Sequence, residues 1–233
     1  MPKVRHWVAI PLALFAAAVT LGLIAAHTPL TRSTELSWNS HLQQLRTGWL
    51  NHVMLDLADI ASPVGGLVIL ALITMFFLWR RNPVQATATF LVIAVGWNSS
   101  EIAKLIVGRH RPPAAYSLAP ETGSNSFPSG HAALAFSLAV ALCLLAARTR
   151  FFGLAVALGA AWTLLIAFDR LYIGAHYPLD VLGSILVSTS AIVFLTGLWH
   201  GWIGPNLYRV PLLDRFGPVP EPVAVPETAS VAG

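Results

Sequence analysis

Charged side chains are scarce in this chain: Asp, Glu, Lys and Arg make up only 10% of its 233 residues, against 56% hydrophobic. That excludes the ordinary water-soluble globular class, in which about a quarter of residues are charged. With a mean hydropathy of +0.68, the chain belongs with polytopic membrane proteins. Cysteine is scarcer still, a single residue. Cys143 sits inside an apolar run, so neither a disulfide framework nor a thiolate metal site can be built, and a small buried hydrophobe is its reading. A basic face is also missing. The formal charge of +4 could attract nucleic acid, but the basic residues are short flanks to apolar runs, which excludes a nucleic-acid partner. No His/Asp/Glu spacing typical of a metal site stands out, so neither a metal nor a cofactor is expected.

What is present is a series of apolar runs of about 20 residues, the length that crosses a hydrocarbon core as a helix. Six are expected: Trp7 to Ala26, Ile60 to Trp79, Pro83 to about Val107, His131 to Ala147, Phe151 to about Phe168, and about Tyr177 to Trp199. Interfacial Trp7, Trp79, Trp199 and Trp202 bracket several of them. The predicted fold class is therefore all-α, a polytopic membrane protein with six transmembrane helices. The first run follows Lys3, Arg5 and His6 like a signal peptide, but its length exceeds the roughly 7 to 15 residues of a signal core and favours a retained helix. Between the first two runs, Thr31 to Ala61 mixes Leu and Val with Gln, Arg, Asn and Asp and predicts one or two interfacial helices. Residues 1–202 form the expected membrane domain. Residues 203–233 read as a Pro-rich cytoplasmic tail, disordered for want of anything to bury.

Orientation follows from the flanking Lys and Arg. With the N-terminus cytoplasmic, Lys3, Arg5, Arg80, Arg81, Arg148, Arg150, Arg209 and Arg215 lie inside, and Arg32, Arg46, Lys104, Arg109, Arg111 and Arg170 outside. An even number of spans returns the C-terminus to the cytoplasm. The loops at about 108–130 and 169–176 then share the extracytoplasmic side of a cell membrane. Those loops hold nearly all the residues able to do chemistry.

Ionisable groups at membrane depth are costly and usually functional. Three segments carry them. Lys104 is followed after six residues by Arg111-Pro112; Pro128-Ser129-Gly130-His131 follows; then come Arg170, His176 and Asp180. The three blocks, in this order, resemble the type-2 phosphatidic acid phosphatase superfamily, related to vanadium haloperoxidases and glucose-6-phosphatase. The resemblance covers about residues 60–200, with its core motifs at 104–180.

The residues support the chemistry independently. His176 and Asp180 stand i and i+4 at the start of the last run, so a carboxylate on the same helical face can take the Nδ1 hydrogen and leave Nε2 as nucleophile. The Ser129-Gly130 turn at a helix start offers free N–H groups as a phosphate cradle, and Ser129 offers either a hydroxyl donor or a plain N-cap. His131 beside it can protonate a leaving oxygen and then activate water. Lys104, Arg111 and Arg170 supply cations to the phosphate oxygens, which removes the need for a metal. Arg109 lies outside the pattern and reads as a membrane-interface anchor. Where the family often has Ser or Thr before the third-block arginine, this chain has Asp169, expected to turn away and pair with a basic neighbour or to stay partly protonated. Glu101 is expected to pair with Lys104, and Asn98-Ser99-Ser100 to bond between helices.

The resemblance implies a metal-independent lipid phosphate or diphosphate phosphatase working through a phosphohistidine. Undecaprenyl diphosphate is the first expected substrate, followed by phosphatidylglycerophosphate, phosphatidic acid and diacylglycerol diphosphate. Two alternatives stay open. One is a phosphotransferase with a non-water acceptor, the other a non-catalytic lipid-phosphate binding or transport protein.

Overall fold

The computed structural model describes residues 1–119, 121 and 123–221. Among them the chain is helical, with one isolated antiparallel bridge between His110 and Asn125. Eight helices make the body: α1 Ala9–His27, α2 Pro29–Gln43, α3 Gly48–Ile60, α4 Pro63–Trp79, α5 Pro83–Val107, α6 Gly130–Ala146, α7 Phe152–Tyr172 and α8 Pro178–Leu198. Their starts are set by local chemistry. Pro stands in the first turn of α2, α4, α5 and α8, where its missing N–H costs nothing. The side chains of Ser62, Asn82 and Ser129 accept the orphan N–H groups of Gly65, Gln85 and Ala132, as N-caps do. Helix α5 ends at Gly108, φ +62°, the left-handed cap glycine permits.

The six apolar runs correspond to α1 and α4 to α8. Among the described residues four helices, α1, α5, α7 and the α8 segment, are long and apolar enough to cross a membrane by themselves. The two that are not are α4 and α6, with 17 residues each. Helix α4 reaches the required length only together with α3, from which it bends by 57°. The interfacial stretch becomes α2 and α3, so one of the two expected interfacial helices is also the bent continuation of a span.

Helix α5 lies between α6 and α8, α6 packs along α7, α1 along α8, and α4 covers α5. Small residues set these approaches: a Cβ on Gly159 would lie 2.9 Å from that of Ala139. Bilayer helices pack through such small-residue seams because lipid supplies no hydrophobic drive between them. The outer faces remain apolar, with Val64, Leu67, Leu72 and Met75 of α4 all more than half exposed. Asn98, Ser99 and Ser100 differ from expectation. Their side chains bond to Ala94, Gly96 and Trp97 carbonyls of their own helix, one turn back, a partner always within reach. The interhelical bond here comes from Ser188, whose hydroxyl donates to Gly96 O at 2.8 Å.

Residues 204–214 also depart from the tail expectation. They form short helical turns, and Leu207 is buried; an apolar side chain with a surface to cover overrides the Pro content. The tail from 222 to 233 lies outside the described residues.

Candidate active site

The C-terminal end of α5, the N-terminal ends of α6 and α8 and the C-terminal end of α7 meet at one end of the bundle. The loop between α5 and α6 folds back over that end as an irregular hairpin, with Ser126 N–H on Arg109 O at 2.7 Å and Arg111 N–H on Ser124 O at 3.3 Å. The turn after α7 closes on Gly174 at φ +80°, and Ala175 and His176 donate their N–H groups to Arg170 O. A Cβ at Gly174 would lie 2.6 Å from Tyr116 O, so both conformation and space demand glycine. Asn39 of α2 donates to His176 O at 2.9 Å. His176 is therefore held on both sides.

The three sequence blocks converge. Arg111 Nη1 lies 3.2 Å from His176 Nε2 and 3.1 Å from Ala175 O. Arginine has only donors, so the Nε2 facing it carries a lone pair and the proton belongs on Nδ1. That Nδ1 lies 3.4 Å from Asp180 Oδ2 and has no other partner. Asp180 itself is well held: Oδ2 accepts Tyr177 N–H at 2.8 Å and Oδ1 accepts Arg109 at 2.6 Å. Contrary to expectation, His176 is not on the helical face with Asp180 but in the turn before it, since α8 starts at Pro178. Asp180 is the third residue of α8 and caps it, and the cap brings the carboxylate to the imidazole. Burial first, and Arg111 in addition, push the His176 pKa below the ordinary histidine value, while Asp180 opposes them. The ring is thus neutral and nucleophilic near pH 7.

The sequence gives no sign of Glu121. It projects from the α5–α6 loop, with its carboxylate 3.1 Å from Arg170 Nη1, 3.5 Å from Arg111 Nη2 and 3.8 Å from His131 Nδ1. An anion therefore sits among two guanidinium groups and an imidazole. Its partners lie 10 to 49 residues away in the chain, and no spacing motif signals it. Lys104 reaches the same end from α5. Its Nζ pairs with Glu101 at 2.6 Å, as expected, and would lie 3.4 Å from a Cβ on Gly130, so it faces the start of α6. Ser129 takes the plain N-cap role: fully buried, it accepts Ala132 N–H. Asp169 pairs with Arg170, the site arginine itself, whose Nε and Nη2 donate to Oδ2 at 2.8 and 2.5 Å. The expected pairing with a basic neighbour is thus made, and it orients that guanidinium. Arg109 is no interface anchor; it is 3% exposed and bound to Asp180 and Glu35.

Glu121, His131 and His176 bring three ligand atoms within 4.8 Å of one another, a spacing a metal ion could use. The donor set argues against one. Two of these groups already face Arg111 and Arg170, and a dication there would meet two guanidinium charges at close range.

An apolar helical bundle with two guanidinium groups, an ammonium and two imidazoles gathered at one end defines a membrane protein that handles a compact anion. The PAP2 superfamily matches residues 85–203, half of the chain, and the chain belongs to that superfamily as a membrane phosphatase. Undecaprenyl-diphosphatase of Sulfolobus acidocaldarius is 27% identical over 200 residues, covering 84% of this chain and 91% of that protein. Undecaprenyl-diphosphatase BcrC of Bacillus subtilis is 27% identical over 146 residues, 60% of this chain and 69% of its own. Among solved structures, the PAP2-type phosphatidylglycerolphosphate phosphatase of Bacillus subtilis superposes with a TM-score of 0.70 at 23% identity, over 82% of this chain and 96% of that one. This last likeness bears on the fold.

Proposed function

We propose that the protein hydrolyses lipid diphosphates, undecaprenyl diphosphate first among them, through a phosphohistidine on His176 and without a metal. His176 Nε2 gives its lone pair to the terminal phosphorus as the bond to the leaving oxygen breaks. Nδ1–H faces Asp180, which offsets the charge growing on the ring. His131 protonates a leaving alkoxide where one forms. It then takes a proton from water, whose oxygen attacks phosphorus and releases inorganic phosphate and neutral His176. Lys104, Arg111, Arg170 and the Gly130 N–H face the equatorial oxygens, where phosphoryl transfer gains most from positive charge.

The observation that carries this reading is the Glu121 carboxylate, an anion held by Arg111 and Arg170 beside His176, whose Nε2 faces Arg111. The diphosphatase names of the two relatives support the substrate class. The site faces the extracytoplasmic side and both termini the cytoplasm. His200 Nε2 lies 2.8 Å from Met1 O, so the chain's beginning and the end of α8 share the end opposite the site, with Arg80, Arg81, Arg148 and Arg150 in the turns there.

Purified protein in detergent with excess chelator is expected to release inorganic phosphate from undecaprenyl diphosphate and shorter prenyl diphosphates. Phosphate release that appears only on adding a divalent cation would overturn the metal-free mechanism. Transfer to a second lipid without free phosphate would overturn hydrolysis.

A further inference from the structure

Arg109 is the cation that the phosphate site leaves unused. Its Nη1 donates to Asp180 Oδ1 at 2.6 Å and its Nη2 to Glu35 Oε2, and its guanidinium carbon lies 4.0 Å from the centre of the Tyr177 ring. With both ends committed and 3% of its surface exposed, it has nothing left for a substrate oxygen. Glu35 comes from α2, is 5% exposed, and takes Leu179 N–H on its other oxygen at 2.8 Å. Both carboxylates therefore also bind the backbone at the start of α8, the segment that carries His176 and Asp180.

The charge sum explains why a second carboxylate is needed. A buried guanidinium facing Asp180 alone would hold that carboxylate electrostatically and blunt its pull on the imidazole. Glu35 neutralises Arg109 from the far side. The buried triad then retains one net negative charge, and it faces His176 Nδ1. A metal-bound histidine is tuned in the same way by the partners of its carboxylate.

We propose that Glu35 and Arg109 are positioning residues for the phosphoryl-transfer step, acting on His176 through Asp180. The proposal rests on the reading of His176 as nucleophile. It brings α2, which lies outside the matched residues 85–203, into the catalytic apparatus. Helix α2 thereby does more than connect α1 to α3, because Glu35 and Asn39, one turn apart on it, hold the His176 turn by its charge and by its carbonyl.

The test uses the full-length protein in detergent with a prenyl diphosphate, comparing wild type, Glu35→Asp, Glu35→Gln and the charge-balanced pair Glu35→Gln/Arg109→Gln. Each is made with Asp180 intact and with Asp180→Asn. With Asp180 intact, the balanced pair and Glu35→Gln are expected to lower kcat roughly 10- to 100-fold, with KM within about twofold. Glu35→Asp, which keeps the charge, recovers most of kcat. In the Asp180→Asn background the same changes cost less than about twofold, because their route to His176 is already cut. Equal kcat for Glu35→Asp and Glu35→Gln at matched thermal midpoints would overturn the proposal, as would equal losses in both backgrounds or an effect on KM alone. If the balanced pair does not unfold cooperatively, the Asp and Gln variants of Glu35 decide the matter by themselves. A wild type that releases no phosphate would instead sink the phosphatase reading, a failure distinct from these.

Discussion

At the scale of single residues, the site is a competition between charges for one anion position. Glu121 pairs with Arg111 and Arg170, and on the proposed mechanism the phosphate takes its place, so substrate has to displace it. Glu121→Gln is therefore expected to lower KM for a prenyl diphosphate by about 3- to 10-fold, the effect of roughly 1 kcal/mol of lost ionic competition. Steady-state kinetics check this, and a raised KM would mean that the carboxylate helps to build the site. The pH response follows from His176, whose pKa burial pushes down. A histidine with a depressed pKa stays neutral as pH falls through the ordinary histidine range and protonates only below it. The acid limb of kcat/KM due to His176 is thus expected below about pH 6.5, and a limb above pH 7 would contradict the burial argument. His176, His131, Asp180, Arg111 and Arg170 were legible because phosphate chemistry places rare polar residues in short, ordered blocks within an apolar chain. Glu121 and Glu35 were not. Each meets its partners only through the fold, and Glu35 lies 74 residues from Arg109 and 144 from Leu179.

At the scale of elements, turns matter more to the site than the helices that flank them. Gly174 and Gly108 both have positive φ, but a Cβ clashes with Tyr116 O at Gly174 and meets nothing at Gly108. Gly108→Ala is expected to cost about 1–2 kcal/mol of stability, the left-handed penalty alone. Gly174→Ala pays that and the clash, and it moves the turn bearing His176. Thermal unfolding in detergent with kcat on the same samples checks this; equal losses at both glycines would contradict it. Helix positions were readable from apolar runs of spanning length. The 57° bend between α3 and α4 was not, because hydropathy carries length and no direction. The start of α8 was read to within a residue, about Tyr177 against Pro178, but His176 was put on its face, for a related reason. An i, i+4 spacing is satisfied equally by a helix and by a turn feeding a capped helix start.

At the scale of the whole molecule, the arrangement sets the basic turns and the anion site at opposite ends of the bundle. Basic turns, the start of the chain and the end of α8 lie at one end, and the anion site with its covering loop lies at the other. Single cysteines in a Cys143→Ser background test this sidedness. A membrane-impermeant maleimide applied to intact cells is expected to label Ala115→Cys, exposed in the loop over the site, and to spare Arg150→Cys; the reverse pattern would invert the topology. The charges at the site are met in pairs, Glu101 with Lys104, Asp169 with Arg170, and Asp180 with Arg109.

The most direct measurement is the covalent state of His176 during turnover. With a prenyl diphosphate the departing group is a phosphate monoester, which leaves without a proton, so His131→Ala should still phosphorylate and then stall before hydrolysis. Rapid quench into alkali with terminally labelled substrate, followed by peptide mapping, is predicted to find stoichiometric label on His176 in His131→Ala and none in His176→Ala. Label on any other residue, or a turnover that proceeds in His176→Ala, would contradict the account.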